Sequence, residues 1–151
     1  MIIIGIDPDV NASGFAYFSN GELTTLSSYA LLDVFDRFRG ISENQAGEEN
    51  KVQVHIEDIH SNRAVWHKGG SGAARNVGRC EQIQLEIEKT ANYFGFKVVR
   101  HPVSSKWKKG AGKKEFEKLT DWTGRTNEDM RSAAYFGYCG VVKNGLLHNK
   151  K

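Results

Sequence analysis

The stretch Met1-Ile2-Ile3-Ile4-Gly5-Ile6-Asp7-Pro8-Asp9-Val10-Asn11-Ala12-Ser13-Gly14-Phe15-Ala16-Tyr17-Phe18 decides how this chain folds. Ile2, Ile3, Ile4 and Ile6 form a near-continuous β-branched run, the pattern of a central strand covered on both faces. The run ends on Asp7, and Pro8, Asp9, Asn11 and Gly14 are residues of a tight turn. Phe15 to Phe18 then lead back as an antiparallel partner. A carboxylate at the end of the most buried strand has to be solvated, paired or bound to a cation, because an isolated buried charge is very costly. Two readings of Asp7 stand side by side on this stretch: an Asx-turn cap on the hairpin, or a metal ligand.

Outward from this hairpin, Gly21-Glu22 separates a third strand, about Leu23 to Ala30, so the first three strands read as an antiparallel meander. Leu32, Phe35, Phe38 and Ile41 then fall at helical spacing, and Ser42 to Asn50 read as a loop or frayed end. Val52, Val54, Ile56 and Ile59 mark a fourth strand; following a helix, it is expected to lie parallel beside the first. It carries Glu57 and Asp58 near its end, so two separate strands end in carboxylates.

Residues 60–73 read as a loop holding Arg63, Trp66, Lys68 and several glycines, feeding a helix from about Ala74. Glycines just before a helix N-terminus let backbone N–H groups approach a phosphate, and Arg75 and Arg79 stand one turn apart to add to it. No Gly-Lys-Ser or Gly-Lys-Thr follows, so this is not a nucleotide-binding P-loop, and a plain linker is the competing reading. Cys80, Ile83, Ile87, Ala91 and Phe94 share one face of the helix, and Phe96 to Arg100 form a short fifth strand.

Between Lys97 and Lys118 lie eight basic residues and two acidic ones. Trp107 sits among Lys106, Lys108 and Lys109, with Lys113 and Lys114 shortly after; aromatic residues interleaved with lysines suit a nucleic-acid backbone with a base to stack on. A short helix, about Lys113 to Trp122, precedes a last helix that Thr126 or Asn127 can cap. Glu128 and Asp129 fall in its first turn, where the dipole favours anions. Ser132 shares the face of Asp129.

Composition narrows the class. At 151 residues with 39% apolar content and two prolines, the chain is most simply one globular α/β domain. Without an apolar run of 18 residues or a basic-flanked leader, neither a membrane span nor a signal peptide is expected. Cys80 and Cys139 match no zinc spacing and read as reduced thiols. The net charge of +3 divides into −7 over residues 1–59 and +10 over residues 60–151. An acidic half able to hold cations, joined to a basic half able to hold an anion, fits a metal-dependent enzyme acting on nucleic acid.

The element order, with acids after the first and fourth strands and on the last helix, resembles the ribonuclease H-like fold, and within it the RuvC-type Holliday-junction resolvases, particularly small phage members. The residues carrying the likeness are Gly5-Ile6-Asp7-Pro8 with Gly14; Ile56-Glu57-Asp58; Gly78-Arg79; Pro102 with Trp107-Lys108; and Asp129-Met130-Arg131-Ser132-Ala133-Ala134. Gly-Ile-Asp-Pro alone is shared with sugar kinases, but an actin-like phosphotransferase would need a second nucleotide-binding domain, for which 151 residues leave no room. The resemblance implies a single nuclease domain over residues 1–151: an α/β fold whose five-stranded mixed sheet, three antiparallel then parallel strands, is flanked by helices.

It also implies two Mg²⁺ or Mn²⁺ ions held by Asp7, Glu57 and Asp129, with Glu128 and Ser132 as further candidates. Lys106, Lys113 and Lys114 would stand beside the scissile phosphate, Lys106 and Lys114 among the catalytic residues. His60 or Trp66 would help open the junction centre. The implied protein is a homodimer that nicks opposed strands of a four-way or other branched DNA, in the cytoplasm of a phage host. The pattern departs in one place: the family's Asp-x-x-Asp-Ala reads Asp129-Met130-Arg131-Ser132-Ala133 here. A shifted register would place Asp129 at the last acid and Thr126 at the earlier one. Ser132, natural or introduced, lowers the charge of the site, so a junction-binding protein with impaired catalysis is the alternative expectation.

Overall fold

The computed structural model describes residues 1–62 and 70–147. Five strands, β1 (Ile2–Asp7), β2 (Ser13–Ser19), β3 (Glu22–Tyr29), β4 (Val52–Glu57) and β5 (Lys97–His101), form one sheet in the order β3-β2-β1-β4-β5. β1 pairs antiparallel with β2 and parallel with β4, so it is the central strand that its isoleucine run predicts. The β2–β3 hairpin turns on Asn20 and Gly21, both at positive φ, the geometry of a type I′ turn.

Among the described residues, four α-helices flank the sheet: α1 (Leu31–Asn44), α2 (Gly70–Tyr93), α3 (Ala111–Thr120) and α4 (Glu128–Lys143). Strand alternation divides the core. Ile2, Ile4, Ile6, Val52, Val54 and Ile56 pack with Val34 and Phe38 of α1 and Ile87 and Ala91 of α2. Ile3, Ala16 and Phe18 face the other way, among Ala133, Ala134 and Val141 of α4 and Phe116 of α3. The buried stripe of α1 is displaced from the expected one: Val34 and Phe38 are fully buried, Leu31 and Ile41 flank them, and Leu32 is 75% exposed.

α4 reaches unusually close to the sheet. A methyl group on Gly5 would stand 2.0 Å from the carbonyl oxygen of Ala133, and one on Gly14 would stand 2.1 Å from that of Asp129. Only glycine lets the strand and helix backbones touch at these two points. Asn127 caps α4, its Oδ1 accepting from Met130 N at 2.8 Å.

Trp107 corrects an expectation from the sequence. It is 1% exposed, packed against Phe116, Tyr135 and Tyr138, and has no face to offer a base. Its lysine neighbours stay at the surface while the indole joins the second core; an apolar body of that size gains far more from burial than from the loop surface. Among the described residues, no helix is long and apolar enough to cross a membrane.

Candidate active site

The alternation that sorts the core also sorts the acids. Ile3, Gly5 and Asp7 share the α4 face of β1; Gln53, His55 and Glu57 share the α4 face of β4. The parallel register pairs Ile6 with Ile56, so Asp7 and Glu57 emerge side by side at the carboxyl ends of adjacent strands. Asp58 turns away from them and accepts from Gln84 of α2 and from Ser61 N, both at 3.1 Å. α4 lies across the pair and brings Asp129 and Ser132 to it.

Asp7 is 4% exposed and Glu57 5%. Glu57 and Ser132 lie within hydrogen-bonding reach of the Asp7 carboxylate. Asp7 Oδ2 and Ser132 Oγ, both cut off from solvent, nonetheless have no partner with proper hydrogen-bond geometry. Burial, and then the neighbouring Asp7 carboxylate, push Glu57 up to about 9. Burial followed by Asp7 and Asp9 pushes Asp129 to about 6, and burial raises Asp7 as well. Clustered acids that resist ionisation are a site at which a cation would be welcome. The donors are all hard oxygens, the set that Mg²⁺ or Mn²⁺ takes. Among the described residues, no group of three His, Cys, Asp or Glu side chains is already drawn together as a metal cage.

Among the described residues, one lysine reaches the acids: Lys108 Nζ is 3.9 Å from Asp7 Oδ2. Arg131, 6% exposed, sets its position, donating from Nε to Trp107 O at 3.0 Å and from Nη2 to Lys108 O, so the basic loop is tied to α4. Nη1 of the same residue donates to Thr126 Oγ1 at 2.7 Å. Thr126 is thus taken up by Arg131, while Ser132 lies within hydrogen-bonding reach of Asp7.

Other expected residues fall elsewhere. Glu128 is exposed and lies 3.8 Å from Lys109 Nζ, away from the acids, because the first turn of α4 points it outward. Lys106 Nζ lies 6.0 Å from the centre of the Tyr135 ring, and Lys113 and Lys114 are exposed on α3. His60 Nδ1 is 2.6 Å from Glu81 Oε1. Arg75 and Arg79 are exposed on α2. That helix begins at Gly70, earlier than the expected Ala74, so Gly70 and Gly72 lie inside it and not ahead of it. Arg63, Trp66 and Lys68 lie outside the described residues.

Sequence reasoning missed two participants, Asp9 and Arg131. Asp9 reads as a turn residue, yet it lies against Asp129. Arg131 enters the sequence reading only as part of the Asp129–Ala134 motif, with no role of its own.

Neither a protein-family model nor a curated protein matches the chain. Solved structures do. Thermus thermophilus RuvC in complex with a Holliday-junction substrate aligns over 97% of both chains, with a TM-score of 0.63 and 13% identity. The fold is RuvC-like. A second T. thermophilus RuvC structure aligns over 97% of this chain and 98% of its own, with a TM-score of 0.59 and 14% identity. Both the mixed five-stranded sheet and its flanking helices belong to this ribonuclease H-like arrangement.

Proposed function

We propose that this protein is a divalent-metal-dependent endonuclease that resolves four-way or other branched DNA. The observation that carries the reading is Asp7 Oδ2, buried without a hydrogen bond beside Glu57 and Ser132 on a RuvC-like fold. Asp7, Glu57 and Asp129 would hold Mg²⁺ or Mn²⁺, two ions in all, with Ser132 contributing a hydroxyl. When bound there, a divalent cation supplies the Lewis acidity that activates water and stabilises charge on a phosphate under attack. Lys108, next to Asp7, would hold the phosphate oxygen nearest the acids. Lys106, Lys109, Lys113 and Lys114, with Arg75 and Arg79, would hold the DNA backbone by charge. A homodimer would place one such site at each of two opposed strands; the likeness to RuvC in complex with a Holliday-junction substrate supports branched DNA as the target.

The test is a labelled four-way junction and a matched linear duplex, each with and without Mg²⁺ or Mn²⁺. Selective nicking of the junction in the presence of metal is expected. Asp7→Asn and Glu57→Gln should each lower the nicking rate by about 10³-fold or more, the several kcal/mol that metal-held charge is worth in a transition state. Wild-type rates in either variant would refute the assignment.

A further inference from the structure

Asp9 belongs to the turn between β1 and β2. Its Oδ1 accepts from Val10 N at 2.6 Å and lies 3.9 Å from the Cys80 thiol of α2, while its own N–H donates to Ser13 Oγ at 3.1 Å. These contacts fix the carboxylate between α2 and the first turn of α4, within hydrogen-bonding reach of Asp129 and close enough to Asp7 to act on it. The geometry points to Asp9 as the fourth carboxylate of the divalent-cation site, supplied by the β1–β2 turn where α4 offers only Ser132. This assignment rests on the proposed two-metal reading.

One observation and two physical arguments converge on it. Two oxygens of the cluster, Asp7 Oδ2 and Ser132 Oγ, are buried and unpartnered, on side chains only 4% and 1% exposed. A turn cap by itself does not call for a charge, since asparagine or serine would accept from Val10 N without repelling Asp129. Two divalent ions carry four positive charges, of which Asp7, Glu57 and Asp129 offset three and Asp9 the fourth. The Cys80 thiol lies 3.9 Å from Asp9 Oδ1 and donates to this carboxylate.

The test is direct titration of the full-length protein with Mn²⁺, following free ion by electron paramagnetic resonance. Asp9→Asn keeps the acceptor for Val10 N and removes the charge. The wild type is expected to bind two ions, Asp9→Asn to weaken one of them by about tenfold or more, and Asp7→Asn to lose both. The double variant Asp9→Asn/Ser132→Asp should regain the second ion, which also shows that the turn remains folded. Wild-type affinity for both ions in Asp9→Asn, with binding lost in Asp7→Asn, overturns the role of Asp9 and leaves the two-metal reading intact. Failure of the double variant to recover the second ion assigns Asp9 to the turn alone and likewise overturns it. Equal, negligible binding by the wild type and Asp7→Asn brings down both readings.

Discussion

Helix α4 covers two polar clusters on the same face of the sheet, and the chain treats them in opposite ways. In one, His55 is 2.7 Å from His101 Nε2 and 2.9 Å from Gln53 Oε1, and Gln53 and Asn144 exchange amide hydrogen bonds at 3.2 and 3.0 Å. Gly140 is cut to fit it, since a methyl there would meet the His55 ring at 2.5 Å. In the other, two residues farther along β4, Glu57 faces Asp7 and two buried oxygens make no hydrogen bond. An unpaired buried polar group costs about 1–3 kcal/mol. The histidine cluster is therefore complete as folded, whereas the carboxylate cluster is complete only with something more. Burial alone does not separate a structural polar group from a functional one; satisfaction does.

The largest effect expected from this contrast is on the closed side. His55→Ala should destabilise the protein by about 3 kcal/mol, because it opens a cavity and removes the ring partner of His101, and chemical denaturation measures it. A loss under 1 kcal/mol would mean that the network is loosely held. On the open side the sign should reverse. In the presence of a chelator, Asp7→Asn should leave stability unchanged or raise it by about 1 kcal/mol, since it removes a buried charge that lacks a full partner. A clear loss in the same denaturation assay would show Asp7 to be a structural group after all.

The subtlest effect is on pH dependence. Burial first, then His101, lowers His55 to about 4, so its contribution is lost as pH falls from about 6.5 toward 4. Glu57 is raised to about 9, so stability is fully present below about 4.5 and is lost as pH rises toward 9. The two slopes oppose each other on the acid side, and only the fall due to Glu57 continues above pH 6.5. Thermal melts in chelator should show that alkaline decline, and Glu57→Gln or added Mn²⁺ should flatten it. A decline untouched by Glu57→Gln would place its origin elsewhere.

Much of this was legible in the chain. The isoleucine run marks the central strand because a sheet covered on both faces needs apolar side chains at every position, and Asp7 and Glu57 stand out where two such runs stop. The core face of α2 follows from its spacing. What failed is where loops and helix ends turn their side chains. Trp107 looked like a DNA-stacking platform because its sequence neighbours are lysines, but tertiary packing against α3 and α4 decides its place. Lys108, not Lys106, reaches the acids because Arg131 grips the loop carbonyls, a contact spanning 23 residues for Lys108 O that no local pattern announces. Glu128 and Asp129 are adjacent in sequence, yet one faces solvent and the other the sheet.

The contact between Gly14 and the Asp129 carbonyl, and between Gly5 and that of Ala133, has a consequence for how the carboxylates are spaced. Peptide meets peptide there, with no side chain between to compress, rotate or repack. The gap between the strand acids and the helix acid is thus a hard-sphere distance, as incompressible as the backbone itself. Mutations in the surrounding core can soften or tilt α4 at its far end, but they have little lever on the backbone approach at these two contacts; the length and rotamers of the acidic side chains then set how their carboxylates meet.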